Sequence, residues 1–485
     1  MNMTKKQIIG WIITIILTLF CWCVPTDFFG IEGLTVMQQR IIAIFVFSAC
    51  MWISEAIPIW ATSVVIMVLM LLTTSDSMLE FMKGSDPAVF GETISYKSIM
   101  HEFANPTVML FMGGFVLAIA AAKYKLDANL ARVVIGLFGK KPSMVMLGFI
   151  VITALLSMFM SNTATAAMMV AILTPVLASL PESDNKGKVG MALAIPIAAN
   201  IGGLGTPIGT PPNVVAVGYL KDQLGIDVSF ASWMLVMVPV VLIILFLSWI
   251  YLSTAFKSNQ EAIEIKIEGS WDKSREAIIV YITFIVTVLL WVFGKDINGH
   301  KTLGINANVV ALIPFAVFVI TGVFKKADLA KIDWDVLWLV AGGFALGVGI
   351  NDTKLAEVLV NTIPFNTWPA MLVILGSGVL CLVMSTFMSN SASAALLIPI
   401  LIAVATGMKE QLAAFGGATT LIIGLAMSAS LAMALPISTP PNAIAYSKGF
   451  IKQKDMAVTG ILVGLVGLVI GYIVLIFAGK AGIFA

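Results

Sequence analysis

The chain is poor in charge: of its 485 residues 11% are Asp, Glu, Lys or Arg, against roughly a quarter in soluble domains. That shortage, beside a hydrophobic fraction of 59%, excludes a water-soluble globule. Histidine is scarcer still, with two copies, His101 and His300, both in predicted external loops. Proton-coupled chemistry inside a membrane needs carboxylates or imidazoles that titrate there, and few candidates exist. Four cysteines, Cys21, Cys23, Cys50 and Cys381, show no metal-ligand or redox spacing and read as buried small apolar residues. A net charge of +2 suggests neither a nucleic-acid surface nor a strongly acidic partner. A nucleophile paired with a base, or a metal cluster, is likewise missing from the apolar segments, which argues against an enzyme.

What is present is a series of apolar runs, each near the roughly 20 residues a bilayer-spanning helix needs. They fall near 8–24, 38–54, 58–72, 106–122, 233–252, 277–293, 305–323, 334–350 and 458–478. The first follows Lys5 and Lys6, but Cys21, Trp22 and Cys23 make a poor cleavage site, so it is expected to stay as a helix. Two longer stretches, 142–180 and 369–406, are interrupted midway by small polar residues and read as re-entrant hairpins. Two others, 189–219 and 417–447, are broken by Gly and Pro and read as discontinuous helices. The expected fold is therefore an all-α polytopic membrane protein of about eleven transmembrane helices plus two re-entrant helical hairpins. With a cytoplasmic N-terminus, the clusters Lys123, Lys125, Arg132, Lys140 and Lys141, then Lys325, Lys326 and Lys331, then Lys448, Lys452 and Lys454, share one side. The loop carrying Asp76, Glu80, Asp86 and Glu92, and the C-terminus, then lie outside the cytoplasmic membrane. Glu55, just before Pro58, reads as a cap or anchor of a helix turn.

Three features of the first half return in the second in the same order. Gly113-Gly114-Phe115 returns at 342–344, MSNTATAAM at 160–168 returns as MSNSASAAL at 388–396, and GTPPN at 209–213 returns as STPPN at 438–442. The offsets are 344 − 115 = 229, 390 − 162 = 228 and 442 − 213 = 229. Five spans from the second to the sixth put the two copies into the membrane from opposite sides, the inverted-repeat plan of secondary transporters. The chain divides into an N-terminal helix, 1–36; a first repeat, 37–256; a charged cytoplasmic linker, 257–276, with Lys257, Glu261, Glu264, Lys266, Glu268, Lys273 and Arg275; and a second repeat, 277–485.

The chemistry concentrates at the hairpin tips. Asn162 and Thr163 occupy one tip, Asn390 and Ser391 the other. Half-helix N-termini present unpaired N–H donors, so a carboxylate can be held there without arginine. Two related tips suit an anion with two ends. Gly202, Gly203, Gly205 and the prolines at 207, 211, 212, 436, 440 and 441 unwind the broken helices. Their freed carbonyls, with hydroxyl oxygens, are the ligands a hard cation such as Na+ takes. A pore is the weaker reading, because two related half-sites for one anion fit alternating access better than conduction.

These motifs closely resemble those of the divalent anion:sodium symporter family, whose members carry two Ser-Asn-Thr hairpin motifs and two unwound Thr-Pro-Pro-Asn segments. SEAIPIWATS at 54–63 is a further similarity, and the match covers nearly the whole chain. The resemblance implies a homodimer with scaffold and transport domains, carrying dicarboxylate with Na+ by an elevator-type motion. It implies substrate contacts at Asn162, Thr163, Asn390, Ser391, Thr439 and Pro440. It also implies one Na+ site at Ser157, Ser161, Asn162 and Gly203, and a second at Ser385, Met388, Asn390 and Ser438. Ser391 departs from the usual threonine, and Leu204 stands where some members place a hydroxyl beside the substrate. The family also contains Na+-independent exchangers with the same hairpins. The serines Ser157, Ser161, Ser385 and Ser389, with no Lys or Arg nearby to replace a cation, favour symport.

Overall fold

A computed structural model describes residues 4–263, 270–294 and 303–484. His300 and the linker residues Glu264, Lys266 and Glu268 lie outside the described residues. Among the described residues the chain is helical, with one isolated backbone bridge between Ser75 and Ile94. The helices that position the site are α1 (Lys5–Cys23), α2 (Val36–Ser54), α3 (Ile59–Thr73), α4 (Pro106–Lys123), α5 (Leu126–Leu137), α6 (Pro142–Ser157), α7 (Asn162–Ser179), α8 (Asn185–Gly202), α9 (Pro211–Leu224) and α10 (Phe230–Ala255). The second half continues with α11 (Arg275–Phe293), α12 (Leu312–Ile320), α13 (Trp334–Asp352), α14 (Leu355–Thr362), α15 (Ala370–Phe387), α16 (Asn390–Gly407), α17 (Gly417–Ser430), α18 (Pro440–Tyr446) and α19 (Gln453–Lys480).

Eleven helices among the described residues are long and apolar enough to cross a bilayer. The total matches the expectation, but its membership differs. Three of the eleven are hairpin arms, α7, α15 and α16, whereas α3, α17 and the pair Ala307–Val310 with α12 fall short of full length. The run expected at 305–323 divides because Pro314 has no N–H to offer the carbonyl four residues back. Both hairpins form as two helices joined by a short turn, and both broken helices break where glycine and proline cluster.

Local signals set the ends. Thr4 with Gln7 and Thr35 with Gln38 form reciprocal capping boxes that start α1 and α2. Glu55 closes α2 in the left-handed conformation, its amide bonded to the Met51 carbonyl, so the expected helix-end role holds. The structure adds a repeat mark of its own: Lys125 and Lys354, 229 residues apart by 354 − 125, both take φ near +57° (56° and 58°) at the turn before α5 and α14. A left-handed lysine costs on the order of 1–2 kcal/mol, so two at matching positions mark a shared backbone path. Of the cysteines Cys381 alone is buried; Cys21 and Cys50 are half-buried and Cys23 is exposed, which corrects the expectation of four buried residues. Cys23 ends α1, a helix whose apolar side chains largely face outward.

The core lies at the breaks. Every residue from 189 to 210, and every residue from 419 to 434, is buried. Around it, α1, α10, α11 and α19 turn large apolar side chains outward, among them Ile16, Phe246, Ile285 and Phe477, as lipid-facing helices do.

Candidate functional site

At the first tip, α6 ends on Ser157 and α7 begins on Asn162, so the Asn162 amide is one of the donors a helix start leaves unpaired. The Ser157 hydroxyl lies 2.5 Å from Asn162 Oδ1 and 2.8 Å from the Ala199 carbonyl of α8. A Cβ on Gly203 would sit 2.7 Å from that same Oδ1, so only glycine lets the unwound chain pass against the tip. Asn162 is thus brought against both Ser157 and Gly203. Ser161 holds the cap position next to them, its carbonyl accepting from the Thr165 amide. Thr163 is exposed one residue into the helix.

The second tip repeats the geometry with a difference. Ser385 lies near the end of α15, Met388 is buried with an extended backbone, and Ser389 accepts from the Ala392 amide to cap α16, which begins on Asn390. Ser438 Oγ donates to the Thr386 carbonyl at 2.8 Å and accepts from the Leu435 amide, which ties the second unwound segment to this tip. Ser385 Oγ and Asn390 Oδ1 are buried and meet no oxygen or nitrogen partner among the described residues, the weak Cys381 thiol one turn back from Ser385 aside. Ser391 is half-buried.

The unwound segments were expected to leave carbonyls free, and part of that supply is taken. Asn213 Nδ2 donates to the carbonyls of Gly203 (3.0 Å) and Thr206 (2.9 Å). Asn442 Nδ2 donates to those of Met433 (2.7 Å) and Leu435 (3.0 Å). Trp233 Nε1 binds the Leu204 carbonyl, and Leu204 itself is fully buried. A carbonyl has two lone pairs, so the bond from Asn213 takes one of the two acceptor positions of the Gly203 oxygen. The two repeats cross here: α18 packs on α7, and α9 packs on α16. That crossing sets Thr439 and Pro440 beside the arm that carries Asn162 and Thr163. Asn200 Nδ2 completes it with bonds to Thr439 Oγ1 (3.1 Å) and Asn442 Oδ1 (3.2 Å).

A family model described as the sodium:sulfate symporter transmembrane region matches residues 5–481. The chain belongs to the sodium:sulfate symporter family. Among relatives of this symporter chain, the sodium-dependent dicarboxylate transporter SdcS of Staphylococcus saprophyticus is 31% identical over 504 residues, covering 98% of this chain and 92% of the relative. The protein of the same name from Staphylococcus aureus is 31% identical over 492 residues, covering 95% and 90%. The fold is similar to that of the Alcanivorax borkumensis YdaH transporter, with a TM-score of 0.57 at 14% identity over 88% of this chain and 99% of the other. It is also similar to Neisseria gonorrhoeae MtrF, with a TM-score of 0.51 at 12% identity over 87% and 94%.

In this symporter-family chain the sequence-predicted residues divide cleanly. Ser157, Asn162 and Gly203 meet at one tip; Ser385, Met388, Asn390 and Ser438 gather at the other; Thr439 and Pro440 stand where the repeats cross. Asn200, Asn213 and Asn442 escaped sequence reasoning as working residues. The recurrence of Asn213 as Asn442 was a signal, since both close a repeated Pro-Pro-Asn. Asn200 carried none, because position 429, one offset later, is alanine.

Proposed function

We propose that this chain is a secondary active transporter that imports C4-dicarboxylates, such as succinate, malate or fumarate, together with Na+. The observation that carries the reading is the pair of buried, unpartnered oxygens Ser385 Oγ and Asn390 Oδ1 at a tip whose repeat-mate, Ser157 with Asn162, has the same composition. Buried polar atoms without partners cost about 1–3 kcal/mol each. An oxygen-binding cation removes that cost, and Na+ is bound by neutral oxygens of this kind. The relatives' name, sodium-dependent dicarboxylate transporter, points the same way.

The Na+ sites proposed are Ser157, Ser161, Asn162 and Gly203 at one tip, and Ser385, Met388, Asn390 and Ser438 at the other. The substrate contacts are Asn162, Thr163, Asn390, Ser391, Thr439 and Pro440. The starts of α7 and α16, each eighteen residues long, aim unpaired N–H groups and a positive dipole end at the two carboxylates. No side chain in this set carries charge. A dianion alone would be costly to hold in a low-dielectric interior, and bound Na+ offsets its charge, which is the physical reason for coupling.

For the motion we propose an elevator, in which α6–α9 and α15–α18 move as a unit against a scaffold of α2–α4 and α11–α13. Its support is packing: α4 closes on α12 and α13 on α3 through glycine contacts, while the hairpins and broken helices pack chiefly on one another. We also propose that the protein sits in the cytoplasmic membrane as a homodimer, with its N-terminus inside and its C-terminus outside.

The test is uptake of radiolabelled succinate into proteoliposomes of purified protein under an inward Na+ gradient, under K+, and with succinate preloaded. Concentrative uptake that needs Na+ and no internal substrate is expected. Uptake only into preloaded vesicles regardless of Na+ would make the protein an exchanger and remove both sodium sites. Asn162→Ala and Asn390→Ala are each expected to abolish uptake while inserting normally; wild-type rates in either would refute the site.

A further inference from the structure

We infer that Asn200 is a positioning residue that fixes the Thr439 hydroxyl as a hydrogen-bond donor toward the transported anion. The inference rests on the reading of Thr439 as a substrate contact. Asn200 is 2% exposed and lies in the last turn of α8. The amide of Asn442 is oriented first: its Nδ2 is committed to the Met433 and Leu435 carbonyls, so its Oδ1 must face Asn200. An oxygen there demands a donor, and this fixes Asn200 with Nδ2 toward both Asn442 Oδ1 and Thr439 Oγ1.

The consequence falls on Thr439. A hydroxyl has one proton and two lone pairs. Thr439 Oγ1 accepts from Asn200 Nδ2 at 3.1 Å and from the Asn442 backbone amide at 3.3 Å. Both lone pairs are occupied, so the O–H has no choice but to donate outward. A hydroxyl locked as a donor suits a carboxylate and disfavours a cation at that point.

The same turn of α8 reaches the other way. The carbonyl of Ala199, the preceding residue, accepts from Ser157 Oγ at the first tip. One helical turn therefore holds the first tip with its backbone and the second unwound segment with a side chain. The arrangement is confined to one repeat: Ala429 occupies the position matching Asn200, and Thr210, which matches Thr439, makes no side-chain cap bond. The two carboxylate ends of the substrate are thus met by unlike groups.

A double-mutant cycle on the full-length protein in proteoliposomes tests this, with the KM for succinate and the half-saturating Na+ concentration read for each variant. Thr439→Ala and Asn200→Ala are each expected to raise KM about tenfold, the loss of roughly one hydrogen bond to a charged group. Adding Asn200→Ala to Thr439→Ala is expected to cost nothing more, with the Na+ dependence little changed. Additive losses, or an Asn200→Ala that lowers only the maximal rate, would overturn the positioning role while leaving Thr439 as a contact. An unaltered KM in Thr439→Ala would instead remove the contact and the inference with it. If Asn200→Ala inserts poorly, Asn200→Asp replaces it in the cycle: it keeps the shape, its ionised form cannot donate, and its KM should rise at least as far.

Discussion

Asn213 and Asn442 each use one side-chain amide to hold two carbonyls that an unbroken helix would have held with backbone N–H groups. The two N–H bonds of Nδ2 are what make asparagine suitable. Aspartate has the same shape and no such donors. Asn213→Asp and Asn442→Asp are therefore expected to be destabilised by about 1–3 kcal/mol per carbonyl left short of a partner, while Asn442→Asp keeps an oxygen to accept from Asn200 Nδ2. Thermal unfolding of the purified variants in detergent measures this, and wild-type melting in either would show that solvent or lipid already serves those carbonyls. Sequence made half of this legible. Pro-Pro-Asn recurs at the 229-residue offset, but the carbonyls it pins lie seven to ten residues upstream, and only the fold of the break brings them within reach.

Among elements, the paired glycines of α4 and α13 were legible as a repeat and illegible as two different faces. A Cβ on Gly113 would meet the Ala311 carbonyl carbon at 2.7 Å, and one on Gly342 would meet Ser63 Cα at 2.8 Å. Both are backbone atoms of the opposite repeat and have little room to move. The next glycine in each pair faces elsewhere: Gly114 approaches the flexible end of Ile208 at 3.2 Å and Gly343 the Ala395 methyl at 3.7 Å. Gly343→Ala is thus expected to express and transport near wild type, while Gly342→Ala loses several kcal/mol through overpacking and with it most of the folded yield. The yield of monodisperse protein and the melting temperature decide the point; equal behaviour of the two would break the assignment of faces. The hairpins and breaks were readable because polar, Gly and Pro residues interrupt apolar runs, a local signal. Partner choice across 200 residues or more, as between Gly342 and Ser63, is a property of packing that no local pattern carries.

At the scale of the whole molecule, the repeats are joined by ion pairs of very different quality. Asp328, nearly buried ahead of α13, accepts from Lys123 at the end of α4 (2.6 Å), from Lys331 (2.9 Å) and from the Lys325 amide (2.9 Å). Glu92 and Lys354 also cross between the repeats, but stand 4.0 Å apart and largely exposed. Exposed pairs of that kind contribute roughly 0–1 kcal/mol, so Glu92→Gln should leave the melting temperature unchanged. Asp328→Asn should lower it by the equivalent of about 1–3 kcal/mol, since Lys123 and Lys331 lose a charged acceptor. The pH dependence follows from the same contacts. Burial alone would raise the Asp328 pKa, but the bonds from Lys123, Lys325 and Lys331 outweigh it and hold the carboxylate well below its usual range. A group depressed in the folded state contributes fully above its unfolded pKa, near 3.9, and that contribution is lost as pH falls through the lower folded value. The margin of wild type over Asp328→Asn should accordingly stay flat from about pH 8 to about pH 5 and shrink below about pH 4. Melting curves of both proteins across that range read it directly, and a margin that grows on acidification would mean that another group, not Asp328, fastens the two repeats at this end.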